Sequence, residues 1–146
     1  MIIKDFYIRK YDWELRCYFA VDSYYAHEIM EDLYKLGINP NSAKRAFRNL
    51  LESNDNTGLC YSSFEDRKSV IVTSLTTEAK EFAHSWVHEI THCACHIAQV
   101  DCIDLKSEQF CYLVGDIAKM TFKNVSKLLC DCCKKKQRKY YGKEED

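Results

Sequence analysis

The chain has one proline and four glycines in 146 residues, so it has few natural breakpoints for linkers or tandem domains. It lacks charge of one sign: 21 basic residues nearly balance 22 acidic ones, for a formal net charge of −1. A broad electrostatic footprint for nucleic acid is therefore not expected. No uninterrupted apolar run approaches the length that would cross a membrane, and the opening MIIKDFYIRKYDWELR is charged throughout. These absences point to one soluble, cytoplasmic domain with no nucleic-acid or membrane partner. A chain of this length, 47% hydrophobic, can bury a core without covalent staples.

What the chain has in quantity is cysteine and one cluster of histidine. Nine cysteines are an odd number and follow no export-type segment, which suits free thiols in a reduced compartment. Four of the five histidines fall in EFAHSWVHEITHCACHIAQ, residues 81–99, at positions 84, 88, 92 and 96.

The surrounding pattern alternates strands and helices. IIKDFYI and LRCYFAV are predicted strands. A helix capped by Asp22 or Ser23 runs to about Leu36, with Gly37 as its stop, and NPNS turns the chain into a second helix over roughly 42–53. SNDNTG is a predicted loop. GLCYSSF and SVIVTSL form two strands joined by a polar EDRK turn. Thr76 or Thr77 is expected to cap a helix over about 78–99, and a final long helix runs from about Ser107 to Cys130 or beyond. The last residues, 131–146, form a charged tail. The predicted architecture is α+β, a small mixed or antiparallel sheet packed on the histidine-bearing helix and the helix after it, in a single domain.

Residues 88–92 read HEITH, the H-E-x-x-H pattern. Residues four apart lie on one helix face about one turn apart, so His88 and His92 can grip one zinc ion from the same side. Glu89 lies alongside, where it can take a proton from water activated by zinc. A shuffled chain of this composition would contain the pattern roughly once in 80 trials, so context must carry it. The context is a strand before the motif and a helix opening with Glu108 after it.

A third ligand has several candidates. The extended H-E-x-x-H-x-x-G-x-x-H form fails, because Cys95 and Ala98 stand where glycine and histidine would be needed. His88 and His96 lie eight residues apart, or about 12 Å along a helix, too far to share one ion. His84 and His96 are therefore expected to be flanking polar residues. The remaining donors are Asp101, Asp104 and Glu108. Asp104 suits a helix cap, and Glu108 is favoured because the next helix can return antiparallel and bring its carboxylate to the metal.

The segments TGLCYSSFEDRKSVIVTS, EFAHSWVHEITHCACHIA and SEQFCYLVGDIAK, within residues 57–122, resemble a minimal gluzincin, the thermolysin-like branch of zinc metallopeptidases. The wording is similar to small metallopeptidase-like proteins of phages and prophages of Bacteroides-like bacteria. The resemblance implies zinc held by His88, His92 and Glu108, with Glu89 as general base. It also implies that Ser69–Leu75 is the sheet edge along which an extended peptide substrate lies. The aspartate often found one turn after the ligand glutamate is here Tyr112, with Asp116 a further turn on. Tyr112 is a candidate donor to an oxyanion, and Asp116 a candidate to orient a ligand histidine. The implied activity is peptide-bond hydrolysis; the alternative is a zincin-shaped metal-binding or interaction module without catalysis.

Cys130, Cys132 and Cys133 form C-x-C-C, which could join Cys93 and Cys95 in a thiolate site. Structural zinc sites prefer C-x₂₋₄-C pairs, so plain helix thiols are the simpler expectation. His27 is expected on the surface, and Phe82 and Trp86 in the core.

Overall fold

The computed structural model describes residues 1–52 and 58–133. Most of the SNDNTG loop (53–57) and most of the charged tail (134–146) lie outside the described residues.

Strand β1, Ile2–Ile8, pairs antiparallel with β2, Trp13–Val21, in a hairpin whose register sets Ile8 opposite Trp13. A 3-10 turn at Arg9–Tyr11 joins them and closes on Asp12 at φ 47°, a left-handed conformation that aspartate tolerates better than most residues. The chain then forms helix α1, Ala26–Lys35, stopped by Gly37 at φ 79°. Helix α2, Pro40–Glu52, opens with proline in its first turn, and Asn39 Oδ1 accepts from the Ser42 amide at 2.9 Å. Strands β3, Gly58–Ser63, and β4, Lys68–Ser74, make a second antiparallel hairpin.

The two hairpins join through a parallel pairing of β2 with β4, giving a four-stranded mixed sheet of order β1-β2-β4-β3. This corrects the expectation that Ser69–Leu75 is the sheet edge. Strand β4 is interior, hydrogen-bonded on both sides, and buried from Ser69 to Ser74. Its β-branched run is what a strand covered on both faces requires. The edges of the sheet are β1 and β3.

Alternation along the strands divides the core into two. Leu15, Cys17, Phe19 and Ile71 face helix α3, Ala79–Asp101, and helix α4, Glu108–Val125. Tyr18, Val21, Val70 and Val72 face α1 and α2 on the other side. Helix α3 lies over β3 and β4, while α4 packs beside α3 and reaches β1. Phe82 and Trp86 are buried as expected, and the Trp86 indole donates to Thr121 Oγ1 at 3.1 Å, tying α3 to α4 inside the core. Among the described residues, no helix is long and apolar enough to cross a membrane.

Three helix ends differ from expectation. The residue preceding α3 is Glu78, with no side-chain cap bond, and Thr76 donates instead to the Glu78 carbonyl. The Ala79 amide is accepted by Asp131 Oδ1 at 2.8 Å, a partner 52 residues away that local pattern cannot disclose. Helix α4 is capped by Ser107, whose Oγ accepts from the Phe110 amide at 3.2 Å, and not by Asp104, which turns the preceding loop through a bond from the Lys106 amide. Helix α4 also stops at Val125, tightening to a 3-10 turn over Ser126–Leu129 before Cys130 becomes extended.

Candidate metal centre

Helix α3 places the four histidines in a row, with neighbouring ring centroids 6.1, 4.7 and 6.4 Å apart from His84 to His96. The closest approach is in the middle, where His88 Nε2 and His92 Nε2 are 3.1 Å apart and both rings are exposed. Tetrahedral ligands about 2.1 Å from zinc sit roughly 3.4 Å from one another, so the pair has nearly the spacing one ion needs. The same spacing suits an N–H···N hydrogen bond when no ion is held. The helix supplies this convergence through its 3.6-residue period alone.

Glu89 sits on the opposite side of its own turn from solvent, with 5% of its surface exposed. Burial pushes its carboxyl up to about 7. Its cover is the start of β3. A Cβ added to Gly58 would stand 2.8 Å from Glu89 Oε1 and 2.9 Å from the Val72 carbonyl oxygen. Only glycine lets the edge strand approach so closely.

His96 is not a free flanking residue. It is half-buried against β3, with Nδ1 2.7 Å from Ser62 Oγ. Ser62 Oγ lies 2.6 Å from Ser69 Oγ, which accepts from the Trp13 indole at 2.8 Å. Burial, and secondarily His92, hold the His96 imidazole below its ordinary pKa. His84 is exposed, as expected, and so is His27, whose ring lies 5.3 Å from that of Phe47.

The acidic candidates fall elsewhere. Asp101 is held by Arg67 Nη2, 3.0 Å from each carboxylate oxygen. Asp104 belongs to its loop turn. Glu108 is exposed in the first turn of α4 and does not join the histidine pair: among the described residues, the one group of three or more donor atoms within 4.8 Å of one another is Cys130, Cys132 and Cys133. The reason is the flank that α4 takes. Trp86 points at α4, and at 3.6 residues per turn His92 and His88 lie about 120° and 160° around the helix from it. The histidine row follows the β3 side, as His96 and Ser62 mark, so an antiparallel α4 returns on the wrong side of α3. Tyr112, 68% exposed, and Asp116, also exposed, are on α4 too, and neither joins the histidine pair in a donor group among the described residues.

The thiol group could hold a metal ion. It does not recruit Cys93, which is buried at the sheet near Cys60 and Ser69, nor Cys95. All nine cysteines are unpaired. The sequence did carry a signal for this group, the density of C-x-C-C, which spacing rules for zinc undervalued. A glycine opening a strand likewise marked the contact over Glu89.

Comparison with protein families, with curated proteins and with solved structures finds no match for this chain.

Proposed function

We propose that the chain is a zincin-like, zinc-dependent hydrolase of peptide bonds working at His88, His92 and Glu89. The observation that carries this reading is the convergence of the two Nε2 atoms to 3.1 Å beside a buried carboxylate. Zinc, when bound, would supply electrophilic polarisation and an acidified water. The chain's own part is distinct. His88 and His92 bind from the exposed face of α3. Glu89, held in an apolar setting by β3, accepts a proton near neutral pH, which suits a general base. An extended peptide would add to β3, the edge strand beside Glu89, rather than to interior β4.

A second reading is favoured by one observation: no third donor stands with His88 and His92 among the described residues. It makes the chain a catalytically silent metal-binding or interaction module of phage or prophage type, with Glu108 and Tyr112 on α4 taking no part in chemistry.

The test compares zinc content of untagged protein, isolated without added metal, with that of a His88→Ala/His92→Ala variant. About one zinc per chain, lost in the double variant, supports a centre at this pair. Peptide turnover that falls by about 100-fold or more in Glu89→Gln, with zinc retained, then supports the hydrolase. Retained zinc with no turnover in either protein supports the silent module. Failure to take up zinc at the pair, even when zinc is offered, overturns both.

A further inference from the structure

We propose that Cys130, Cys132 and Cys133 form a three-thiolate site for a monovalent soft metal ion of the Cu(I) type, separate from the histidine pair. The donor set argues for that ion. Three sulfur atoms lie within 4.8 Å of one another, and among the described residues no histidine or carboxylate joins the group. Thiolates select soft ions, and Cu(I) is satisfied by three of them, whereas structural zinc takes four donors and C-x₂₋₄-C spacing. A trigonal ion with sulfurs about 2.3 Å away separates them by roughly 4 Å, inside the span these thiols occupy. Cys130 Sγ and Cys132 Sγ, now 2.6 Å apart, open to that distance by side-chain rotation alone.

The position argues for a built site rather than a chance cluster. Leu128 anchors the incoming chain in the core, and Cys130 then turns extended at φ −136° and ψ 120°. Asp131, between two of the thiols, is fixed by its 2.8 Å bond to the Ala79 amide at the start of α3. That bond engages the one carboxylate within the motif and leaves sulfur as the donor set. Cys132 is exposed and Cys130 and Cys133 half-buried, so an ion can enter from solvent without opening the core. The thiols lose their protons on binding, and the resulting negative charge is followed in sequence by Lys134, Lys135 and Lys136.

The experiment titrates the full chain, reduced and oxygen-free, with Cu(I) supplied as its acetonitrile complex. Thiolate-to-copper charge-transfer absorbance is followed against a chromogenic Cu(I) chelator. One equivalent is expected to bind in the wild type and equally in His88→Ala/His92→Ala, and to be lost in Cys130→Ser/Cys132→Ser/Cys133→Ser with its circular dichroism unchanged. Asp131→Ala should weaken binding by about tenfold, the effect of losing a group that orients ligands. Three results would overturn the proposal. They are equal uptake by the triple serine variant, displacement of the copper band by equimolar Zn(II), and recovery of a copper-free chain lighter by two hydrogens in which peptide mapping places the disulfide at Cys130–Cys132.

Discussion

The histidine pair and the thiol triplet are two groups of donor atoms built by opposite means. His88 and His92 converge because a helix repeats every 3.6 residues, so their spacing is set wherever the segment is helical. The thiols converge at a break between helical segments, with Cys132 and Cys133 helical again just past it. Helix α4 stops at Val125, tightens through Leu129, and releases Cys130 into an extended conformation. The first group depends on a regular element and the second on an interruption. Yet both depend on α3, which carries the histidines in its body and receives Asp131 at its first amide.

The largest expected effect tests how strongly β3 isolates Glu89. Its carboxyl is raised by burial from the ordinary 4.5 to about 7. Between those values the folded metal-free chain keeps a proton that the unfolded chain has released. Stability therefore falls as pH rises from about 4.5 to about 7 and stays reduced above. Glu89→Gln removes this penalty, so the metal-free variant should gain up to about 3 kcal/mol on the wild type at pH 8 and little at pH 4. Urea denaturation at the two pH values measures it, and parallel pH profiles would show that water reaches the carboxylate freely.

Gly58→Ala sharpens the same side of the comparison. The new methyl meets both Glu89 Oε1 and the Val72 carbonyl, so β3 must withdraw or Glu89 must turn. A loss of about 1–3 kcal/mol is expected in chemical denaturation, as for other overpacked sites. No loss would mean that the edge strand is not pressed against the motif. The smallest effect falls on the link between the two groups. Asp131→Ala removes the acceptor of the Ala79 amide and should cost about 1 kcal/mol, the usual worth of a helix N-cap. Hydrogen exchange at the first turn of α3 should rise in the variant. An unchanged rate would separate the two groups completely.

Much of this was legible in the sequence, and the parts that were not share a cause. Local patterns found the strands, the Gly37 stop, the Asn39 turn and the helical setting of HEITH, because each is decided within a few residues. Interior β4 was also legible in principle, since SVIVTS reads as buried on both faces, but a hairpin alone does not say which of its strands lies outside. Glu108 turned on which flank of α3 the next helix would take, a matter of tertiary packing fixed by Trp86 and Thr121. Glu78 stands at the cap position of α3 and Asp131 accepts from its first amide, and no local signal links residues so far apart. Ser62 and Ser69 looked like ordinary strand serines until pairing set them beside each other and His96.

The bond from Ala79 to Asp131 also puts an order on the birth of the protein. A ribosome makes Ala79 first and must add 52 more residues before the partner exists. At about 5–20 residues per second that interval is roughly 3–10 s, long beside the microseconds in which a helix forms. Through that time the helix carrying HEITH has an open leading turn, while the β1–β2 hairpin, pairing neighbours in sequence, can already have closed. The nascent chain can thus lock the start of the histidine-bearing helix only after Asp131 has been made.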